Sequence, residues 1–113
     1  MLQLAGGSAP IGMFGGTFDP VHFGHLRLAQ EIAESMRLAE VRFIPAGTPP
    51  HRAAPQVTAA QRLEMVRLST AGNPLFTVDD CEVRRSGPGY TVDTLAELRA
   101  QIGRTRPLCV LLG

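Results

Sequence analysis

Short unbroken apolar runs alternate along the chain with stretches in which apolar residues return every three or four positions. Ile11-Gly12-Met13-Phe14 is a run of strand length that ends in Gly15-Gly16, the pattern of a buried strand feeding a glycine turn. From Gly24 the spacing becomes helical, with Leu26, Ala29, Ala33 and Met36 on one face and Arg27, Gln30, Glu31 and Glu34 on the others. Val41-Arg42-Phe43-Ile44 predicts a second strand, closed by Pro45. Residues 46–57, rich in proline, glycine and small side chains, predict a loop long enough to suggest a function of its own. Thr58-Ala59-Ala60-Gln61 has the form of a capping box. Leu63, Val66 and Thr70 follow on one face of the helix it starts, with Met65 and Leu68 beside them, and Asn73-Pro74 ends it. Leu75 to Val78 predicts a third strand, Cys81 to Arg85 a short, charged edge strand, and Gly87-Pro88-Gly89 a turn. A third helix is expected from about Thr91, with Val92, Leu95, Leu98 and Ile102 as its buried stripe, and Leu108 to Leu112 is a fourth run of strand length.

Strands alternating with helices predict an α/β fold: a Rossmann-like parallel sheet with helices on both faces. Residues 1–113 read as part of one such domain, with residues 1–10 expected to be flexible. The last apolar run is followed at once by Gly113, so the sheet is expected to be truncated after its fourth main strand. Ligands of parallel sheets sit beyond the carboxyl ends of the strands. That rule gathers Gly15 to His25, Ala46 to Arg52 and the segment after Asp79 on one rim.

Composition narrows the function classes. The formal charge of +1 is not the footprint of a nucleic-acid binder. All 11 basic residues are arginines, which excludes a Schiff-base lysine and a P-loop lysine within this chain. Cys81 and Cys109 lie far apart and form no metal-type or redox-type pair. With no disulfide framework, no signal-peptide pattern at the start and no run of membrane-spanning length, a cytoplasmic protein without membrane contact is expected.

The chemistry concentrates in Gly15-Gly16-Thr17-Phe18-Asp19-Pro20-Val21-His22-Phe23-Gly24-His25. Two glycines after a strand let a ligand approach the backbone. The following helix is expected to direct free N–H groups and its positive dipole end at the same space. His22 and His25, three apart at the helix start, can turn their rings to one volume. Together these make a site for a polyphosphate, with Gly24 allowing close approach of a ligand or of neighbouring backbone. A zinc site would need further ligands that do not accompany the pair. The glycine pattern G-x-x-G-G is not G-x-G-x-x-G, so a dinucleotide-dependent oxidoreductase loses its main support.

The stretch His22-Phe23-Gly24-His25 resembles the H-x-G-H signature of the nucleotidyltransferase superfamily. The longer string from Gly15 is similar to bacterial nicotinate-nucleotide adenylyltransferases in particular. Ile44-Pro45 with Pro49-Pro50-His51-Arg52, then Gln61-Arg62, Pro74-Leu75-Phe76 and Tyr90-Thr91-Val92-Asp93-Thr94-Leu95 agree in order with the same family. Pantetheine-phosphate relatives usually carry Thr at the position of His22. In the family, Leu111-Leu112-Gly113 would lead into an Asp and a later serine-threonine-arginine segment, which this chain does not contain.

The resemblance implies transfer of AMP from ATP to nicotinate mononucleotide, giving deamido-NAD and pyrophosphate in NAD biosynthesis. Magnesium would be carried by the triphosphate and water rather than by a protein metal site. His22 and His25 would be the catalytic pair. Gly15, Gly16, Thr17, Phe18 and Gly24 would bind nucleotide, joined by His51 and Arg52 on the long loop and by Tyr90 and Thr91 at the nicotinate pocket. For the last four, surface, packing and N-cap roles stand as alternatives. Asp19 is read as holding the turn through its own backbone bonds. Arg84 and Arg85 are read as a solvated charged edge. A non-catalytic nucleotide-binding module and another H-x-G-H enzyme, such as a cytidylyltransferase, are the alternative functions. A homo-oligomer is left open.

Overall fold

The computed structural model describes residues 9–47, 57–85 and 90–112. Its elements run β1 (Ile11–Gly16), α1 (Phe23–Met36), β2 (Glu40–Pro45), α2 (Ala59–Thr70), β3 (Phe76–Val78), α3 (Cys81–Arg84), α4 (Thr91–Ile102) and β4 (Leu108–Leu112). The expected flexibility of residues 1–10 concerns a segment of which 1–8 lie outside the described residues.

The four strands form one parallel sheet in the order β3-β2-β1-β4. The chain builds outward from β1 to β2 and β3, then crosses to add β4 on the other side of β1. That reversal puts a topological switch point at the carboxyl end of β1, where open α/β sheets bind ligands. In β1 and β2 the period of two sends alternate residues to opposite faces. Phe14, Val41 and Phe43 pack with Ala29 and Ala33 of α1 and Val66 of α2. Met13 and Ile44 pack on the other face with Cys81 of α3 and Leu98 of α4. Both faces of the sheet are therefore covered, as the alternating pattern predicted.

The Thr58–Gln61 capping box forms as read: Thr58 Oγ1 accepts from the Gln61 N–H and Gln61 Oε1 from the Thr58 N–H, each at 3.1 Å. Several local expectations are corrected. Gly15 and Gly16 are not a turn but the last residues of β1, in register with Ile44 and Pro45. The ladder continues past them, with the Ala46 N–H donating to the Gly16 carbonyl at 2.9 Å. Residues 81–84 form a short helix, not an edge strand. Asp79 Oδ1 accepts from the Cys81 N–H at 2.9 Å and starts the turn, and Asp80 pairs with Arg84 at 2.7 Å along it. Val92 is 70% exposed. Thr94 and Leu98 define the inner face of α4, and Val92, two residues from Thr94, lies about 200° round the helix from it. Met36, in the last turn of α1, is also largely exposed.

Candidate functional site

The loop after β1 opens on a cleft of about 280 Å³ lined by Gly16, Thr17, Phe18, Asp19, Pro20, His22 and His25. It leads into α1 through a cap made by the two histidines. His22 Nδ1 accepts from the Gly24 N–H at 3.1 Å, and His25 Nδ1 accepts from the His22 N–H at 3.1 Å. This reciprocal arrangement is a capping box with imidazoles in place of the usual hydroxyl and carboxylate. An Nδ1 that accepts a hydrogen bond in a neutral ring leaves the proton on Nε2. Each ring therefore keeps an Nε2–H donor that the cap does not use.

The rings are stacked, with centroids 3.9 Å apart and planes at 29°. His25 is half-buried, standing edge-on to Phe18 at 5.0 Å and to Phe14 at 6.0 Å. Burial, and the neighbouring His22 behind it, hold the His25 imidazolium below its ordinary titration range. The pair thus offers Nε2–H donors side by side, with the positive end of the helix dipole behind them.

The first turn of α1 presents fewer free amides than the sequence led one to expect. The Gly24 N–H is taken by His22, and those of His25 and Leu26 donate to the His22 carbonyl at 3.0 and 3.3 Å. Of the amides at positions 23–26 only that of Phe23 is left without a partner among the described residues, and the two imidazoles supply the further donors. Gly24 serves this cap. A Cβ on it would lie 2.9 Å from His22 Cε1 and 3.0 Å from Nδ1, so a larger residue displaces the ring. Gly15 and Gly16 differ: a Cβ on either would meet only ordinary contacts, the nearest at 3.9 and 3.6 Å. Packing among the described residues does not require those two glycines.

Phe18 adopts φ of 51° and buries its ring, 3% exposed, against Phe14 and Phe43. It borders the cleft while its side chain serves the core. Asp19 is exposed on the cleft wall, and the Asp19–Pro20 peptide is cis. His51 and Arg52 lie outside the described residues. Tyr90 and Thr91 are exposed and do not line this cleft. Tyr90, not Thr91, is the N-cap of α4, and its side chain makes no capping bond. Arg84 is exposed, but Arg85 is drawn in, donating to Thr94 Oγ1 at 3.2 Å and to Glu97 at 2.9 Å. Thr94 Oγ1 in turn donates to the buried Glu82 carboxylate at 2.6 Å.

One residue of the site was missed. Arg62 of α2 is 1% exposed and donates to four main-chain carbonyls: Thr17 and Ala46 at 2.7 Å, Gly47 at 2.8 Å and Val57 at 3.2 Å. It ties the loop after β1 to the loop after β2. The third rim segment joins them, because a Cβ on Gly47 would collide with the Glu82 carbonyl of α3. The signal was present in the sequence: Arg62, Val66 and Thr70 stand at i, i+4 and i+8, one stripe of a helix.

A parallel sheet with its switch point beside a histidine-capped helix defines a nucleotidyltransferase-type α/β domain. The chain belongs to the cytidylyltransferase-like family, whose pattern matches residues 13–112. Within that class it is 58% identical over 106 residues to "Probable nicotinate-nucleotide adenylyltransferase" of Dechloromonas aromatica, an alignment covering 94% of this chain and 49% of that protein. It is 57% identical over 103 residues to the protein of the same name from Halorhodospira halophila, covering 91% of this chain and 47% of that one. The chain spans about half the length of the curated relatives it matches. Among solved structures, the nicotinic acid mononucleotide adenylyltransferase of Plasmodium falciparum complexed with NaAD shares the fold. Its TM-score is 0.70 at 16% identity, over 93% of this chain and 51% of that one.

Proposed function

We propose that this chain supplies the phosphate-handling half of an enzyme that transfers AMP from ATP to nicotinate mononucleotide. The carrying observation is the stacked pair His22 and His25, whose Nδ1 atoms are committed to the helix cap and whose Nε2–H groups remain as donors. A phosphate oxygen of the mononucleotide attacks the α-phosphorus of ATP. The new P–O bond forms as the α–β phosphoanhydride breaks, and pyrophosphate leaves. No covalent protein intermediate is needed. The protein's work is to align the two phosphates and to stabilise the charge that shifts onto the leaving group. Imidazole Nε2–H groups suit that work because they donate without a proton having to move first.

Gly16 supports the reading, since it lines the cleft, packing among the described residues does not call for it, and its bare backbone leaves the cleft floor open to a nucleotide. Gly15, one residue back in β1, does not line the cleft. Gly24 acts at one remove, by letting the His22 ring lie over the helix end. Among the described residues no three His, Cys, Asp or Glu side chains converge as a metal cage. Magnesium would arrive on the triphosphate and keep its water, the usual habit of that ion. Also among the described residues, no helix is long and apolar enough to cross a membrane, and the reading places the enzyme in the cytoplasm.

The test is a product assay on the full-length protein with ATP, magnesium and nicotinate mononucleotide. Deamido-NAD and pyrophosphate in equal amounts support the proposal. Nucleotide binding without product would make the domain a binding module. Activity with CTP in place of ATP would assign it to the cytidylyl branch of its family.

A further inference from the structure

We infer that Arg62 is a positioning residue for the phosphate cleft, its guanidinium holding the Thr17–Phe18 peptide and the flanks of the 48–56 segment in one frame. The inference rests on the reading of the cleft as a phosphate site. Arg62 Nη1 donates to the carbonyls of Thr17 and Ala46, Nη2 to Gly47 and Nε to Val57. Ala46 and Gly47 immediately precede residues 48–56 and Val57 follows them, so one side chain grips both ends of that segment and the loop after β1.

Only arginine can do this from one position. A planar guanidinium spreads five N–H donors over a fixed fork, whereas lysine offers three from a single point and glutamine two. The choice is costly, because a buried cation with carbonyl partners gives up its water. Desolvation accordingly disfavours the charged form, and the opposing charge is Asp19 on the cleft wall. Beside a cleft that takes polyphosphate, the same charge adds a positive field where anions arrive.

The geometry carries through to the cleft. A trans peptide sets its N–H opposite its C=O. With the Thr17 carbonyl drawn toward α2, the Phe18 N–H of the same unit points away from α2. Phe18 holds φ of 51°, a conformation that a bulky residue keeps only where its surroundings over-determine it. The Arg62 bond fixes the peptide before it and ring burial fixes the side chain. The cleft is then formed before a ligand enters.

The experiment compares Arg62→Lys and Arg62→Met with the unaltered full-length protein. Inorganic pyrophosphate binding is read by calorimetry well below each unfolding midpoint. The Lys variant keeps the charge but not the fork. It is expected to stay folded and to lose at least tenfold in pyrophosphate affinity. The Met variant is expected to lose more. A folded variant that binds within twofold of the parent overturns the inference and leaves the proposed function standing. Should both variants unfold, the Phe18 amide resonance of the unaltered protein decides: a clear shift at pyrophosphate saturation supports the frame, and an unmoved signal overturns it. Failure of the unaltered protein to bind pyrophosphate rejects the phosphate reading and this inference with it.

Discussion

His22 and His25 each accept, through Nδ1, a main-chain N–H of their shared turn, and their rings stack with centroids 3.9 Å apart. The same atoms that end the helix properly also fix which nitrogen of each ring carries the proton. Capping and chemistry are therefore separable by mutation. Replacing His25 with Ala removes both, costing about 1 kcal/mol of stability through the lost cap and orders of magnitude in turnover. Replacing it with Gln, a natural partner at that position of a capping box, should restore most of the stability and none of the turnover. Urea denaturation beside the product assay checks both; turnover close to that of the parent in the Gln variant rejects the catalytic role.

The protonation of His25 should leave a mark on stability. Its folded pKa lies below the ordinary 6.5 because burial, then His22, disfavour the cation. The unfolded chain consequently takes up the proton first as pH falls, so the folded state loses ground. The contribution is complete above pH 6.5 and is lost as pH drops from there through the folded value. Thermal midpoints measured from pH 8 to pH 5 should decline, and the part of the decline due to His25 should vanish in His25→Gln. An identical decline in that variant would assign the effect to other groups.

Two glycines of the motif should respond differently to alanine. At Gly24 a Cβ meets the His22 ring at 2.9 Å, whereas at Gly16 the nearest atom is an ordinary 3.6 Å away. Gly16→Ala should leave the folding midpoint within about 0.5 kcal/mol of the parent, as expected for a substitution that breaks no packing, yet weaken nucleotide binding. Gly24→Ala should shift the imidazole resonances of His22 even without ligand. Calorimetry with ATP and two-dimensional NMR of the imidazoles separate the cases; unimpaired ATP binding by Gly16→Ala would count against the open cleft floor.

Thr94 supports the far face of the sheet and not the cleft. Its hydroxyl donates to the buried Glu82 carboxylate at 2.6 Å and accepts from Arg85 at 3.2 Å. Thr94→Val leaves that carboxylate short of a donor and should destabilise by about 1–3 kcal/mol. Pyrophosphate affinity, measured well below the new midpoint, should stay unchanged. A large loss of affinity in a folded variant would show that a change at the Glu82 side chain passes through its close contact with Gly47 to the cleft.

The Cys81 thiol should be inert. It is buried among Met13, Ile44 and Leu98, and that burial, with Asp79 beside it, pushes its pKa up to about 12. Cys109 is only partly buried. Alkylation of the native protein at pH 8 should label Cys109 well before Cys81, which mass spectrometry of peptides reads directly; prior labelling of Cys81 would contradict its burial.

The parallel α/β class, the Thr58–Gln61 cap and the placing of Gly16, His22 and His25 about one cleft were all legible in the residue order. Each rests on local chemistry: apolar runs of strand length, a hydroxyl three residues before an amide, glycines beside histidines. What the tertiary structure alone decided depends on partners distant in the chain. Cys81 to Arg84 became helical through Asp79 and Asp80, and Val92 faced outward because Thr94 had Glu82 to meet. Gly15 and Gly16 joined the strand because Ile44 and Pro45 stood in register with them. Arg62 acquired its place from carbonyls up to 45 residues away. Periodicity marks a residue as facing inward, but only the folded chain supplies the acceptors that determine whether an inward charge is a flaw or a fixture.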